Sequence, residues 1–181
     1  MKTKIVFATN NAHKLEEVSA IVGDRFEIIP LAATGITEEI PETSDTLDGN
    51  ALQKAQYIYD RTGLDCFADD TGLEVEALDG APGVHSARYA TDGHDHAANR
   101  ALLLKNLEGV ADRSARFRTV IALIQGGKVQ TCEGEVRGTI ATEERGEGGF
   151  GYDSLFIPEG YTENGSGART LRRRQAPIPP R

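Results

Sequence analysis

Residues 66–74, CFADDTGLE, set two aspartates side by side where an apolar run gives way to a threonine and a glycine. Carboxylates at the end of a buried strand suit two kinds of chemistry: holding a hard cation such as Mg2+, or taking a proton from water. Ligand crevices of open α/β sheets form at such strand ends. Neighbouring strand residues face opposite sides, so one of Asp69 and Asp70 faces a given cleft while the other orients backbone or support. A turn at Thr71-Gly72 capped by both aspartates fits the same nine residues equally well.

Three other stretches carry polar groups in chemically useful patterns. Thr9, Asn10, Asn11, Ala12, His13 and Lys14 span a turn between a strand-like run and a helical one. Free N–H groups at a helix start, with the positive end of its dipole, favour an anion such as phosphate, and Lys14 adds charge. The plainer reading is an Asn or Thr cap with a solvated lysine; the P-loop pattern is absent. Glu42, in the acidic loop PETSDT, supplies a further carboxylate, and Mg2+ needs only one or two from protein. In GEGGFGYD, residues 146–153, four glycines over six positions let backbone approach a flat ligand. There Phe150 or Tyr152 can stack on a ring, and Asp153 can accept from a ring N–H; an ordinary glycine turn is the competing reading. Arg88 fits a phosphate contact or a surface ion pair.

The elements that must position these groups follow from periodicity. KIVFATNN reads as strand then turn, and HKLEEVSAIV puts Leu15, Val18, Ile21 and Val22 at helical spacing. FEIIPLA is a second strand. TGITEEIPETSDTLDGN is a long acidic loop, and DGNALQKAQYIYDRTG a helix with Asp48 or Asn50 as cap and Gly63 as stop. DCFADD is a buried strand, LEVEAL alternates, DGAPG turns, and AANRALLLKNLEGV is a helix with Leu103, Leu107 and Val110 on one side. ARFRTVIALIQGGKVQTCEGEVRGTIA gives two or three strands with Gly126-Gly127 as hairpin turn. Helices alternating with strands, followed by a hairpin, predict a mixed α/β sheet.

The chain's 181 residues, 39% of them hydrophobic, suffice for one domain with a real core. A net charge of −8 and a pI near 5.0 argue against general nucleic-acid binding. The sequence has neither a secretory leader nor an apolar run of membrane-spanning length, so a soluble cytoplasmic protein is expected. Cys66 and Cys132 lack metal or disulfide spacing and read as reduced core thiols. The His94-x-His96 pair reads as a solvated loop.

Taken in order, TNNAHKLEE, ETSDTLDGNALQKA, FADDTGLEVEALDGAPGVHSARYA and GEGGFGYDSLF resemble the inosine triphosphate pyrophosphatase family over about residues 4–162. The resemblance implies a two-lobed α/β fold, with a long mixed sheet flanked by helices and a nucleotide cleft between the lobes. It also implies a homodimer and Mg2+-dependent cleavage of ITP, dITP or XTP to the monophosphate and pyrophosphate. Carried onto this chain, the phosphate turn falls on Thr9, Asn10, Asn11, Ala12, His13 and Lys14. The metal acids fall on Glu42 and Asp70, Asp70 being also the catalytic proton acceptor. Thr71 is a substrate contact, and Phe150, Gly151, Tyr152 and Asp153 form the base pocket. The family often has Pro where Ser154 stands here.

Residues 1–163 fit one such domain; 164–181 depart from it. Where the family has a helix, a Lys and Ser-His-Arg, this chain runs NGSGARTLRRRQAPIPPR, expected to be irregular. One codon choice for Ile178-Pro179-Pro180-Arg181, shifted by a base, encodes Ser-His-Arg, which predicts a frameshift near residue 164 that the coding DNA tests. Losing those contacts leaves an alternative open: a nucleotide binder with little turnover.

Overall fold

The computed structural model describes residues 2–145 and 151–160. Phe150 and the 164–181 tail, both singled out above, lie outside them. The strands are β1 (Thr3–Phe7), β2 (Phe26–Pro30), β3 (Cys66–Val75), β4 (Pro82–Gly83), β5 (Ser114–Gln125), β6 (Lys128–Ile140) and β7 (Phe156–Pro158), and the helices α1 (Ala12–Val22), α2 (Leu47–Thr62) and α3 (His96–Asn106). The strands form one sheet in the order β2-β1-β3-β5-β6-β7, with β4 on β3. Parallel pairing of β1 with β2 and β3, and antiparallel pairing of β3 with β4 and β6 with β7, make it mixed, as expected. The chain divides into two compact units, Met1–Thr71 with Thr119–Gly134, and Gly72–Arg118 with Glu135–Arg181.

In the first unit β1 is the central strand. Its residues Ile5, Val6 and Phe7 are buried, and Phe7 stacks on Phe67 of β3 at 4.4 Å. α2 starts at Thr46, whose side chain accepts from Gly49 N, and stops at Gly63, which takes a left-handed φ of 67°. Thr46 is thus the cap in place of Asp48 or Asn50. Ala51, Ala55 and Ile58 are fully buried, each large aliphatic side chain so placed contributing about 1.5–3 kcal/mol. α1 forms where its periodicity predicts, but no residue of it is buried and Ile21 is 81% exposed. The two-residue turn at Gly126-Gly127, with φ of 57° and 80°, joins β5 to β6 in the glycine-demanding geometry the sequence announces.

The second unit has its own core of Leu73, Val75, Leu103, Leu107, Ala115, Ile140, Tyr152, Leu155 and Phe156. α3 is capped by Asp95, which accepts from Ala98 N, and contributes Leu103 to that core; Leu107 follows at its C-cap. Phe117 meets Phe156 edge-to-face at 4.7 Å. Cys66 is buried but Cys132 is exposed on β6, which corrects the expectation of two core thiols.

Candidate active site

β3 does not stop at the aspartates. It runs unbroken through Asp69, Asp70, Thr71 and Gly72 to Val75, so a capped turn at Thr71-Gly72 is ruled out. Gly72 is buried in extended backbone, and the Thr71 hydroxyl shares a 2.7 Å hydrogen bond with that of Thr119 on the neighbouring β5. Alternation then separates the pair as the sequence predicts. Asp69 Oδ2 accepts from Lys14 Nζ at 3.0 Å, whereas Asp70 Oδ2 is buried and has no hydrogen-bond partner among the described residues.

Burial pushes the Asp70 carboxyl up to about 6; the Lys54 ammonium pulls it down, Glu42 raises it, a hydrogen bond from Asn50 lowers it and Asp69 raises it. A half-buried carboxylate whose enclosed Oδ2 has no partner among the described residues is held in an unfavourable state, and a cation would relieve it.

α2 supplies that environment through two residues the motif reading passed over. Lys54 Nζ donates to Asp69 O at 2.5 Å and pairs with Glu42 Oε1 at 2.9 Å. Asn50, 3% exposed, accepts from Ser44 N at 2.8 Å. The readable signal was the helical stripe Leu47, Ala51, Lys54, Ala55, Ile58: a lysine on a core-facing stripe needs buried partners. Glu42, Lys54, Asn50 and Asp70 therefore form one cluster in the first unit. Among the described residues no three His, Cys, Asp or Glu side chains gather as a metal cage. Glu42 and Asp70 are two carboxylates beside one lysine, a number that would suit Mg2+ if phosphate oxygens and water completed its shell.

The Thr9–Lys14 turn is a capped helix start. Asn11 Oδ1 accepts from His13 N at 3.0 Å and Lys14 N at 3.2 Å, and Asn11 N donates to Thr9 Oγ1 at 3.1 Å. The Asn cap, the plainer of the two readings the sequence offers, is what forms, and the carboxamide takes the His13 and Lys14 amides. Asn10 Oδ1 accepts from Ala32 N at 2.8 Å and fixes the turn to the segment after β2. Ala12 opens α1, and His13 pairs with Glu17 at 2.9 Å. The cationic group the turn presents is Lys14, aimed by Asp69.

In the second unit Gly151 has a φ of 58°, and its carbonyl accepts from Arg100 at 3.0 Å. Arg100 also pairs with Glu144. Tyr152 is 4% exposed and its hydroxyl donates to Ser86 O at 2.6 Å. Its ring belongs to the core, which removes it as a stacking surface and corrects that half of the expectation. Asp153 is buried. Arg88 donates to His94 Nε2 at 3.0 Å, a local surface contact.

The Ham1 family model matches residues 5–174. The chain is 58% identical over 160 residues to a dITP/XTP pyrophosphatase of Porphyromonas gingivalis, covering 88% of this chain and 82% of that one. It is 48% identical over 158 residues to a dITP/XTP pyrophosphatase of Christiangramia forsetii, covering 87% and 83%. Among solved structures, the Ham1 protein of Staphylococcus aureus is similar with a TM-score of 0.84 at 34% identity, over 90% of this chain and 85% of that one. A nucleoside-triphosphatase, or dITP/XTP pyrophosphatase, of Mycobacterium abscessus is similar with a TM-score of 0.83 at 39% identity, over 96% and 93%.

Proposed function

Because this chain belongs to the Ham1 family, we propose that it hydrolyses non-standard purine nucleoside triphosphates such as dITP, XTP and ITP to the monophosphate and pyrophosphate. The observation that carries this reading is Asp70: a half-buried carboxylate whose enclosed Oδ2 has no partner among the described residues, beside Glu42 and Lys54, in a chain so similar to named pyrophosphatases. Relatives named as enzymes give no support to the alternative of a binder without turnover.

Mg2+ held by Glu42 and Asp70 would supply Lewis-acid stabilisation of the triphosphate charge. Lys14 and Lys54 neutralise phosphate oxygens from the protein side, and Asp69 keeps Lys14 aimed. Asp70 accepts a proton from the water that attacks the α-phosphorus; the bond from that phosphorus to the bridging oxygen breaks, and pyrophosphate leaves. Thr71 adds a hydroxyl on the strand face it shares with Asp69. Gly151 and Asp153, with Phe150, are the base contacts in this reading, and Tyr152 supports them from the core. A homodimer is part of the same proposal. So is a cytoplasmic location, in keeping with the absence of a membrane-crossing helix among the described residues.

Pyrophosphate release from dITP and XTP, with and without Mg2+, tests the reading. Parent turnover that Asp70→Asn abolishes supports it; a parent that releases no pyrophosphate overturns it.

A further inference from the structure

The acidic loop between Gly35 and Thr46 has no regular structure, yet its Glu42 must meet Asp70 if the two are to share a cation. A loop of that length is not held by its ends alone. Its backbone is instead read by α2. Thr43 N donates to Gln53 Oε1 at 2.8 Å, and Gln53 Nε2 donates back to Thr43 Oγ1 at 3.0 Å. The next amide, Ser44 N, donates to Asn50 Oδ1 at 2.8 Å. Gln53 and Asn50 are three residues apart and so share a helix face, which presents two acceptors to two consecutive loop amides.

Gly49 completes the seat. A Cβ there would stand 1.9 Å from Ser44 Oγ, so only glycine lets the loop lie this close to the first turn of α2. Glycine inside a helix is unfavourable; here the close approach accounts for it. Asn50 also lies beside the Asp70 carboxyl, whose pKa it lowers, and Lys54, the residue after Gln53, pairs with Glu42. One helix face thus grips the loop on both residues that follow Glu42 and touches both carboxylates.

We infer that Gln53, with Asn50, is a positioning residue that holds Glu42 opposite Asp70 and thereby sets the affinity of the site for a divalent cation. The inference rests on the reading of Glu42 and Asp70 as a cation pair. Outer contacts that orient metal ligands are commonly worth 10–100-fold in affinity. Gln53 is only partly buried, and water can take over its bonds, so its removal acts on the loop rather than on the fold.

The test titrates the full chain with Mn2+, read by the resonance signal of the free ion, alongside thermal unfolding. Gln53→Leu is expected to weaken Mn2+ binding about tenfold or more while moving the melting temperature by no more than about 2 °C. Thr43→Ser, which keeps both contacts, is expected to bind like the parent, and Thr43→Val, which deletes only the hydroxyl, to fall between. In turnover the Mg2+ concentration for half-maximal rate should rise in parallel, with kcat at saturating Mg2+ within about threefold of the parent. Unchanged Mn2+ affinity in Gln53→Leu overturns the inference. So does a loss matched by gross destabilisation in both Gln53→Leu and Thr43→Val, or a parent whose Mn2+ binding Asp70→Asn leaves intact. Absence of pyrophosphate release would overturn the proposed function while leaving the Mn2+ titration to decide this point.

Discussion

Lys54 and Glu42 form an ion pair of 2.9 Å in which the lysine is the enclosed partner, its side chain 13% exposed against 43% for the glutamate. The asymmetry matters because an enclosed ammonium depends on its partners, whereas a half-exposed carboxylate can turn to water or to a cation. A cation at Glu42 would loosen the pair without stranding Lys54, which donates to Asp69 O as well.

Replacing Lys54 by methionine keeps the packing and removes the charge. Asp70 loses the cation that lowers its pKa and moves up further. The expected result is a roughly 10- to 100-fold fall in kcat/KM for XTP, for a charged contact of roughly 1.5–3 kcal/mol, and, in the metal-free protein, an Asp70 carboxyl that titrates at higher pH than in the parent. Steady-state kinetics checks the first, and a titration of the Asp70 carboxyl with chelator present checks the second; an unchanged Asp70 titration would detach Lys54 from Asp70.

Stability of the metal-free protein should carry the imprint of Asp70. Its folded pKa of about 6 lies above the unfolded value of about 4. Between those values the folded chain keeps a proton that the unfolded chain has released. Stability from this group is therefore greatest below about pH 4, falls as pH rises toward 6, and is level above. The contribution is on the order of 1–2 kcal/mol once solvent screening is allowed for. Urea unfolding with chelator at several pH values should show Asp70→Asn less sensitive over that window than the parent, and more stable at pH 7. Identical slopes would contradict the burial argument.

Tyr152→Phe separates a core role from a stacking role. The change deletes the hydroxyl that bonds Ser86 O, costing about 1 kcal/mol and lowering the melting temperature by about 2–4 °C. KM for the nucleotide should hold, because the ring stays where it packs. A large rise in KM with unchanged stability would return Tyr152 to the base pocket.

Much of the frame was legible because it rests on short-range chemistry. Asn11 caps α1, Gly63 ends α2, Gly126-Gly127 turns the hairpin, and Leu103 and Leu107 mark the buried side of α3 and its cap. Reading failed where tertiary context decided. Thr71-Gly72 has turn composition, but its neighbours hold it as strand. Lys54 escaped notice because an apolar stripe is sought by its apolar members. Tyr152 sits in a glycine-rich stretch that suggests a loop, although the chain there dives into the second core. The exposure of Ile21 on α1 has no counterpart in the local pattern, which is that of a helix with a covered face.

The two cysteines should differ sharply toward iodoacetamide. Cys66 is fully buried, its thiol donates to Ala55 O, and burial pushes its pKa up to about 11. Cys132 is exposed. Mass spectrometry of the native protein should find one alkylated cysteine, Cys132, with Cys66 modified only after unfolding. Equal labelling would contradict the buried placement of Cys66.

The proposed reaction is release of pyrophosphate from a non-standard purine nucleotide, driven by Asp70 and the groups around it. Its most direct test measures pyrophosphate and orthophosphate separately from XTP and dITP with Mg2+, in the parent and in Asp70→Asn. Pyrophosphate with the monophosphate is expected from the parent, and a loss of at least about a hundredfold in the variant. Orthophosphate with the diphosphate, or pyrophosphate release that survives the loss of Asp70, would contradict it.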